Sequence, residues 1–326
     1  MVLKLDVKDR RILYELDRNA RQPASKIARH VGLSTDAIGY RIKQLVKNNA
    51  VFKFMTLLDT AKLGLTTYKI FYRFQNTTPE KEEEIIEYLR KHPNTQYVTS
   101  TEGMFDLNIN VLASSVKELN NILKEINIKY SYYFAERQVN IIVEANFFFR
   151  DYLINKKSDE IRKPMFFGSH ASEAKIDEKD RKILKMLARN ARQSAVDISK
   201  HSKLSSDAVI QRIKNLEKSG LIQNYVLYPN SDKIGYKSYF VLLRFRDLNQ
   251  DKEKRFFTYC NLQSNIWFYA KLIGQWDCVI NIETENEIEF RKIMSDIKKD
   301  FSEILKEYYI FKFVKTYKFD MYPIEI

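Results

Sequence analysis

The sequence predicts an α+β protein in which one unit, a three-helix domain followed by a βαββαβ domain, occurs twice in tandem. The first observation behind this prediction is an internal repeat, because residues 6–48 recur at 177–219 with about half of the aligned positions identical. The second observation is that the same offset aligns 63–74 with 234–245 without a gap. A duplicated and fused unit suggests a protein that acts as a pair.

The bulk composition limits the class of protein. A chain of 326 residues has room for four small domains, each with a core of its own. The net charge of +13 and the pI of about 9.4 favour a polyanionic partner, although a lysine-rich proteome would produce the same charge. The sequence shows no signal peptide and no apolar window of membrane-spanning length, which predicts a cytoplasmic protein with no membrane contact.

The residue types that carry catalysis and metal binding are scarce. Two cysteines cannot build a disulfide framework or a thiolate metal cluster, and four histidines leave little for a metal site. The sequence contains no glycine-rich phosphate loop, which argues against a nucleotide-driven enzyme. We therefore expect no catalytic residues, no metal and no cofactor, and a protein that is not an enzyme.

Each copy opens with three short helices. Asp6 can cap the first helix, and Asp9 adds negative charge to its first turn, where the helix dipole favours it. The second helix ends at Gly32 and Ser34 caps the third. Apolar residues at helical spacing mark the inner faces: Ile12, Leu13, Leu16, Ile27, Val31, Ile38, Ile42 and Leu45. Three short helices with a tight turn before the last form a helix-turn-helix pattern, which the second copy repeats with Ser205 as the cap.

A short strand, 51–58 or 222–228, follows each helix-turn-helix as a predicted connector. The remaining elements have the order βαββαβ, which is that of the ferredoxin-like fold. In the first copy they are 68–75, 79–91, 95–101, 106–112, 115–129 and 133–149; in the second they are 239–245, 251–261, 265–272, 277–283, 287–300 and 304–319. The predicted fold class is α+β, with two winged helix-turn-helix-like three-helix domains and two ferredoxin-like βαββαβ domains in tandem.

The repeat also predicts the domain boundaries. We expect a helix-turn-helix domain at 1–60, a βαββαβ module at 61–150, a linker at 151–175, a second helix-turn-helix domain at 176–231 and a second module at 232–326. The linker is rich in Ser, Lys and Glu. It also contains Met165, Phe166 and Phe167, three apolar residues that a solvated linker seldom carries. We therefore predict that these three dock on a domain.

The third helix of each copy carries the candidate DNA-binding residues, since the outer face of a recognition helix meets base edges and phosphates. These candidates are Ser34, Thr35, Asp36, Tyr40, Arg41, Lys43 and Lys47, and Ser205, Ser206, Asp207, Gln211, Arg212, Lys214 and Lys218. The alternative is a solvated helix face, with Ser34 and Ser205 acting as caps only. Arg41 and Arg212 could bridge a phosphate or pair with an acidic residue of the first helix.

A Gly-x-aromatic-Asp element occurs once in each βαββαβ module, at 103–106 (GMFD) and at 274–277 (GQWD). A glycine turn between two strands with a following aspartate is also ordinary hairpin chemistry. Together with the pattern LD-x-x-D-x-x-IL-x-x-L-x-x-N-x-R and the later LS-x-x-A-x-x-x-RI-x-x-L, this element makes the chain resemble the Lrp/AsnC family of transcription regulators. The resemblance holds twice and leaves out only 150–175.

The resemblance implies an N-terminal DNA-binding domain and a C-terminal module that dimerises and often senses a small molecule. In that family the Gly-x-aromatic-Asp region borders the effector pocket, which makes the following residues candidates for effector binding: Thr99, Thr101, Glu102, Gly103, Asp106, Gly274 and Asp277. Two departures stand out. Most members are single units, whereas this chain is a fusion. Lys203 also replaces the glycine found at Gly32, where glycine adopts the turn conformation more easily.

These observations predict a sequence-specific DNA-binding transcription regulator. One chain would mimic a dimer, bind double-stranded DNA, assemble into a homo-oligomer and respond to a small-molecule effector such as an amino acid. One alternative is an enzyme like the siroheme decarboxylases, which resemble this family and use histidines in the effector module. The chain has no histidine between 93 and 169 and none after 201, which argues against that chemistry. The other alternative is a ligand sensor that does not bind DNA.

Overall fold

The computed structural model describes residues 2–155, 161–168 and 173–322. The first three helices are α1 (Val7–Arg18), α2 (Ala24–Val31) and α3 (Thr35–Lys47), followed by the strand β1 (Val51–Leu58). The helix ends follow the local chemistry that the sequence predicts. Asp6 and Asp9 form a reciprocal capping box at the start of α1, and Gly32 ends α2 in the left-handed conformation.

The first βαββαβ module forms one four-stranded antiparallel sheet. A 3-10 turn at Thr60–Leu63 leads into it. Its elements are β2 (Thr66–Phe74), α4 (Pro79–Lys91), β3 (Thr95–Glu102), β4 (Leu107–Ala113), α5 (Val116–Tyr130) and β5 (Phe134–Phe147). The strand order β5-β2-β4-β3 is the ferredoxin-like order that the sequence predicts.

The segment between the two copies packs against both of them. A 3-10 turn at Asp151–Ile154 places Tyr152 and Leu153 in the core of the first three-helix domain. The strand β6 (Met165–Phe167) then pairs antiparallel with the end of β5. Met165 and Phe167 are buried, as predicted, whereas Phe166 is half-buried. Residues 156–160 and 169–172 of the predicted linker lie outside the described residues, as do Met1 and 323–326.

The second copy repeats the first. Its three helices and connector strand are α6 (Glu178–Arg189), α7 (Ala195–Ser202), α8 (Ser206–Lys218) and β7 (Ile222–Pro229). Its module consists of β8 (Lys237–Phe245), α9 (Gln250–Leu262), β9 (Ile266–Ile273), β10 (Cys278–Thr284), α10 (Glu287–Asp300) and β11 (Leu305–Phe319), with the strand order β11-β8-β10-β9. The α+β fold class predicted from the sequence is therefore confirmed.

The two sheets join along both edges. The strand β11 pairs with β3, and β5 pairs with β9, so that eight strands close into a ring. Closure pairs the strand edges that each four-stranded sheet would otherwise expose. The helices of each module cover the outer face of its sheet, while aromatic side chains fill the space between the sheets. Phe311 is in ring contact there with Phe71, Phe105 and Phe240, and Phe71 also contacts Phe105.

Candidate nucleic-acid interface

The two helix-turn-helix domains are joined to each other within one chain. The connector strands β1 and β7 pair antiparallel, with Met55 opposite Val226 near the middle of the ladder. The helix α1 packs on β7, and α6 packs on β1, so each three-helix domain rests on the strand of the other copy. The sequence predicts these strands as connectors, and their pairing gives the two domains a shared base.

A matched pair of arginines reinforces this connection. Arg21 donates from Nη1 to the carbonyl oxygens of Ala191 and Gln193, the latter at 2.9 Å. Arg192, which is the repeat equivalent of Arg21, donates from Nη1 to the carbonyl oxygen of Ala20. Each guanidinium thus reaches across to the backbone of the other domain. The two domains are held by a contact that is made twice, once in each direction.

The third helices present the predicted outer faces to solvent. Tyr40 is 64% exposed. The other outer-face side chains of α3 and α8 are exposed or half-buried: Ser34, Thr35, Asp36, Lys43, Lys47, Ser205, Ser206, Asp207, Gln211, Lys214 and Lys218. Ser34 and Ser205 accept hydrogen bonds from the backbone N–H of Ala37 and Ala208, each at 3.2 Å. Both serines therefore cap their helices, as the sequence predicts.

Arg41 and Arg212 are engaged with acidic residues of the first helix of their own domain. Arg41 donates from Nη1 to Asp6 at 2.8 Å and to Asp9 at 2.7 Å. Arg212 makes the same pair of contacts with the equivalent aspartates of the second copy. The hydrogen bonds to Asp6 and Asp9 raise the pKa of Arg41. Of the two roles that the sequence left open for these arginines, the structure shows the pairing with acidic residues. This pairing connects the third helix of each domain to the start of its first helix.

The second recognition helix differs from the first in its polar surface. Gln211 donates from Nε2 to Oδ1 of Asn215 at 3.0 Å. The equivalent positions of α3 hold Tyr40 and Gln44. A glutamine held by an asparagine one turn away presents carboxamide groups, whereas α3 presents a phenol at the corresponding position. The two helices therefore offer different chemistry on equivalent surfaces.

The candidate effector residues lie at two equivalent turns, one in each module, and in the last part of β3. Thr101 donates from Oγ1 to the carbonyl oxygen of Phe105 at 2.7 Å, and Thr99 donates to that of Lys315 at 2.9 Å. Asp106 accepts a 2.7 Å hydrogen bond from a backbone N–H, and Asp277 does the same in the second turn. The Thr101 contact closes the first turn, the Thr99 contact joins β3 to β11 of the other module, and the two aspartates join their turns to the first strand of the same module. Glu102 is the exposed acidic side chain of the first turn.

The two glycines of these turns lie close to the opposite module. Gly103 has a φ of 139°, and a Cβ there would lie 3.0 Å from Cβ of Phe311. Gly274 has a φ of 150°, and a Cβ there would lie 2.7 Å from Oδ1 of Asn140. Positive φ and close approach both explain why glycine occupies these positions. Effector binding at these turns remains a prediction.

Two sets of buried charged residues were missed by sequence reasoning. Asp17, Arg150 and Glu283 form a buried ionic cluster that links α1 to β10. Lys69 is buried inside the ring of strands. The repeat could have indicated that these charged residues are buried, because the second copy has apolar residues at the equivalent positions: Ala188 for Asp17, Met321 for Arg150 and Phe240 for Lys69.

Two further properties concern the described part of the chain. Among residues 2–155, 161–168 and 173–322, no group of histidine, cysteine and acidic side chains is arranged to hold a metal ion. Within the same ranges, none of the helices has the length and apolar character needed to cross a membrane.

Comparison with known families and proteins gives a consistent picture. A family model described as an AsnC-type helix-turn-helix domain matches residues 5–46, and one described as winged helix-turn-helix DNA-binding matches 176–223. An uncharacterized HTH-type transcriptional regulator of Pyrococcus horikoshii is 32% identical over 120 residues, which are 36% of this chain and 80% of that protein. The proline dehydrogenase transcriptional activator of Rhodobacter capsulatus is 31% identical over 123 residues, which are 37% of this chain and 79% of that protein.

The likeness in fold extends over both copies in solved structures of a siroheme decarboxylase. The siroheme decarboxylase NirDL, in complex with an iron-uroporphyrin III analogue, is similar with a TM-score of 0.61 over 97% of this chain and 94% of that chain. The sequence identity is 11%, so this likeness concerns the fold alone. The relatives that are about a third identical are transcription regulators, and this chain covers about four-fifths of each. The chain belongs to the Lrp/AsnC family of HTH-type transcriptional regulators.

Proposed function

We propose that this chain is a sequence-specific DNA-binding transcription regulator in which one polypeptide supplies the two recognition helices that a dimer normally provides. The observation that carries the proposal is the reciprocal contact of Arg21 and Arg192 across the paired strands β1 and β7. This contact fixes the two helix-turn-helix domains relative to each other. Reading two half-sites along a duplex requires such a constant spacing between recognition helices.

The charge distribution supports DNA as the partner. Lys43 and Lys47 on α3, and Lys214 and Lys218 on α8, are all exposed. Lysines on the outer face of a recognition helix neutralise phosphates and fix the register of the protein on the duplex. The net charge of +13 adds a long-range attraction to the polyanion.

Base recognition would come from the polar residues near the start and middle of each helix. In α3 these are Thr35, Asp36 and Tyr40, and in α8 Ser206 and Gln211 are the principal candidates. Glutamine can form a bidentate contact with adenine in the major groove, whereas a tyrosine cannot. Arg41 and Arg212, together with the caps Ser34 and Ser205, position the helices. Asp207 lies in the first turn of α8, next to Ser206.

We further infer that a small molecule modulates the regulator and that chains associate into a homo-oligomer, as in other members of the family. The exposed Glu102 beside Gly103 is the acidic group of the first module that a ligand with an ammonium group could reach. The second module has Ile273 at the position of Glu102. The two turns would therefore bind such a ligand unequally.

A siroheme-decarboxylase-like activity is the second candidate, because the likeness in fold to NirDL covers both copies. The sequence argues for the regulator, since the two modules lack histidine from 93 to 149 and from 232 to the end of the chain. Titration of the purified protein with an iron tetrapyrrole separates the two candidates. The regulator leaves the absorbance spectrum of the tetrapyrrole unchanged, whereas a decarboxylase of that kind shifts it.

The experiment that tests the proposal is selection of bound sites from a random double-stranded pool by the purified full chain. We expect enrichment of one defined sequence motif. A variant with Lys43, Lys47, Lys214 and Lys218 changed to Ala should recover no motif. The matched control removes four exposed lysines from the outer helices α5 and α10: Lys117, Lys124, Lys292 and Lys299. Equal loss in both variants, or no motif with the unaltered chain, would overturn the proposal.

A further inference from the structure

A lysine lies inside the ring of strands without a carboxylate partner among the described residues. Lys69 on β2 is 2% exposed. Its ammonium nitrogen donates one long hydrogen bond, to Oδ1 of Asn110 at 3.4 Å. Around it lie the rings of Phe71, Tyr97 and Phe240, with Nζ 5.6, 5.7 and 5.3 Å from their centres. Three aromatic faces and one amide oxygen are a sparse environment for a group with three N–H donors.

The fold itself does not require a charge at this position. The repeat equivalent of Lys69 is Phe240, which lines the same interior from the other sheet. A cation buried without a counter-ion costs several kcal/mol or else loses its proton. Burial lowers the pKa of Lys69 to about 7, so the folded chain holds the ammonium form only weakly when nothing compensates its charge. A counter-ion from solution would remove this cost.

A small cavity adjoins the amino group. Its walls include Lys69, Asn110, Trp267 and Asn281, and Phe167 of the inter-copy strand β6 contributes to its lining. Trp267 Nε1–H and Asn281 Oδ1 are buried and have no hydrogen-bond partner among the described residues. Since an amide side chain can present either its oxygen or its NH2 group, Asn281 can serve as a donor as well. The cavity thus combines an ammonium, an indole N–H and the carboxamides of Gln96, Asn110 and Asn281.

The size of the cavity limits what it can hold. Its volume is about 20 Å³. A cavity of this size has room for about one water-sized particle. Water alone would satisfy hydrogen bonds but would leave the charge of Lys69 uncompensated. An occupant that supplies both a negative charge and acceptor capacity within this volume is a monatomic anion, that is, a halide ion.

We propose that the cavity between the two sheets is a binding site for a compact monovalent anion, held by Lys69 and by the N–H groups of Trp267 and Asn281. This site lies inside the paired modules, away from the Gly-x-aromatic-Asp turns, and it does not depend on DNA binding. Because Phe167 of β6 lines the cavity, an anion there contacts the segment that connects the two copies. The anion would stabilise the closed ring of strands.

The test measures thermal unfolding of the full chain at constant sodium concentration, with gluconate replaced stepwise by chloride or bromide. Gluconate is too large for the cavity. We expect each small anion to raise the Tm of the unaltered chain in a saturable manner, and Lys69→Met to abolish the saturable part. Trp267→Phe, which keeps a ring but loses the N–H, should weaken anion affinity about tenfold. Benzoate, which exceeds the cavity, should give no response that depends on Lys69.

A matched control is Lys318→Met. Lys318 is a second buried lysine, but it donates to the carbonyl oxygen of His92 at 2.9 Å and to Oγ1 of Thr95 at 3.2 Å. This variant should retain the saturable response. Crystals soaked in bromide supply a direct readout, with an anomalous peak expected beside Nζ of Lys69. A response that persists in Lys69→Met, or the absence of a bromide peak at Lys69, would overturn the proposal. A larger Lys69-dependent response to benzoate than to chloride would overturn the size limit.

Discussion

Asp17 and Arg150 form a buried ion pair that fastens the first helix-turn-helix domain to the ring of strands. Oδ1 of Asp17 accepts a hydrogen bond from Nη1 of Arg150 at 2.7 Å, and Oδ2 accepts one from the backbone N–H of Arg150, also at 2.7 Å. On its other side Arg150 donates from Nε to Glu283 of β10 at 3.1 Å and stacks on Trp267 at 4.3 Å. Burial opposes the charge of Arg150, but Glu283 and Asp17 outweigh this and raise its pKa.

Removal of one member of this cluster should be severely destabilising. We expect Asp17→Ala to lower the free energy of unfolding by about 3–5 kcal/mol, because Arg150 would then remain buried with half of its counter-charge. Urea unfolding followed by circular dichroism measures this. The exposed pair of Arg291 with Glu287, at 3.7 Å, provides the control, and Arg291→Ala should change stability by less than about 1 kcal/mol.

The second copy suggests how the same cluster can be replaced. The repeat equivalents are Ala188 and Met321 in the second copy for Asp17 and Arg150, and Leu112 in the first copy for Glu283. A triple variant, Asp17→Ala with Arg150→Met and Glu283→Leu, should recover most of the stability lost in Asp17→Ala, since apolar replacement of a whole buried ionic cluster is often neutral or stabilising. Glu283 also accepts hydrogen bonds from the hydroxyls of Tyr152, Ser231 and Ser238. A triple variant as unstable as the single one would therefore trace the loss to packing or to these unpaired hydroxyls, and not to an uncompensated charge.

DNA affinity should depend steeply on salt. If Lys43, Lys47, Lys214 and Lys218 each neutralise one phosphate, the slope of log affinity against log salt should include about −0.9 for each of them. Fluorescence anisotropy with a labelled operator between low and moderate salt measures the slope. Changing one lysine to Ala should make the slope less negative by about 1 and weaken all sequences alike. An affinity that does not change with salt would contradict a phosphate-contacting surface.

The operator should be asymmetric. The two recognition helices differ at the positions of Tyr40 and Gln211, and the partner of Gln211 is Asn215 where α3 has Gln44. Site selection with Tyr40→Ala should relax one half-site, and with Gln211→Ala the other. The glutamine variant should lose about 1–3 kcal/mol of discrimination, the amount expected for a lost bidentate contact with adenine. The half-sites should keep a spacing set by the helical repeat of DNA. A palindromic site, or equal loss at both halves from either variant, would refute this expectation.

Substitution of Lys203 by glycine should stabilise the protein. It caps α7 with φ 56° and ψ 38°, in the left-handed region, where the first copy has Gly32 at φ 70° and ψ 53°. The left-handed conformation costs a residue with a Cβ about 1 kcal/mol of conformational free energy. Lys203→Gly should therefore raise the free energy of unfolding by roughly 0.5–1 kcal/mol. Gly32→Lys is the matched reverse change and should lower it. Thermal unfolding of both variants checks the sign, and a destabilised Lys203→Gly would show that the lysine side chain makes a compensating contact.

Stability should rise with pH through the titration of Lys69. Because burial lowers its pKa to about 7, from 10.5, the unfolded chain binds the extra proton between these two values. Because the unfolded chain binds more protons than the folded chain in this window, the free energy of unfolding increases with pH by up to about 1.4 kcal/mol per pH unit. Below pH 7 Lys69 is protonated in both states, so it contributes no further change. Tyr97, the titratable phenol in the same cavity, stays neutral because burial raises its pKa well above 10.

The pH effect is isolated by comparison with Lys69→Met. Urea unfolding in gluconate buffers from pH 6.5 to 9.5 should give a difference in stability between the two chains that shrinks as pH rises, since other titrating groups such as Lys318 are common to both. A difference that does not vary with pH would mean that Lys69 keeps its proton throughout.

The sequence by itself determined the repeat, the order of helices and strands, and the helix ends. These depend on local chemistry that is readable in short windows, such as the capping box of Asp6 and Asp9 or the turn glycine Gly32. The outer faces of α3 and α8 were also predictable, because the apolar positions Ile38, Ile42 and Leu45 fix which side turns inward.

The tertiary structure decided what happens between the two copies. The pairings β3–β11 and β5–β9 join residues that are far apart in the chain, and no local pattern encodes which edge meets which. A lysine in a strand is ordinarily expected at a solvated face. Lys69 is buried because closure of the ring removes water from the inner face of both sheets. Asp17 likewise meets Arg150 only after the segment that follows β5 has packed against α1, and that contact depends on the folded chain as a whole.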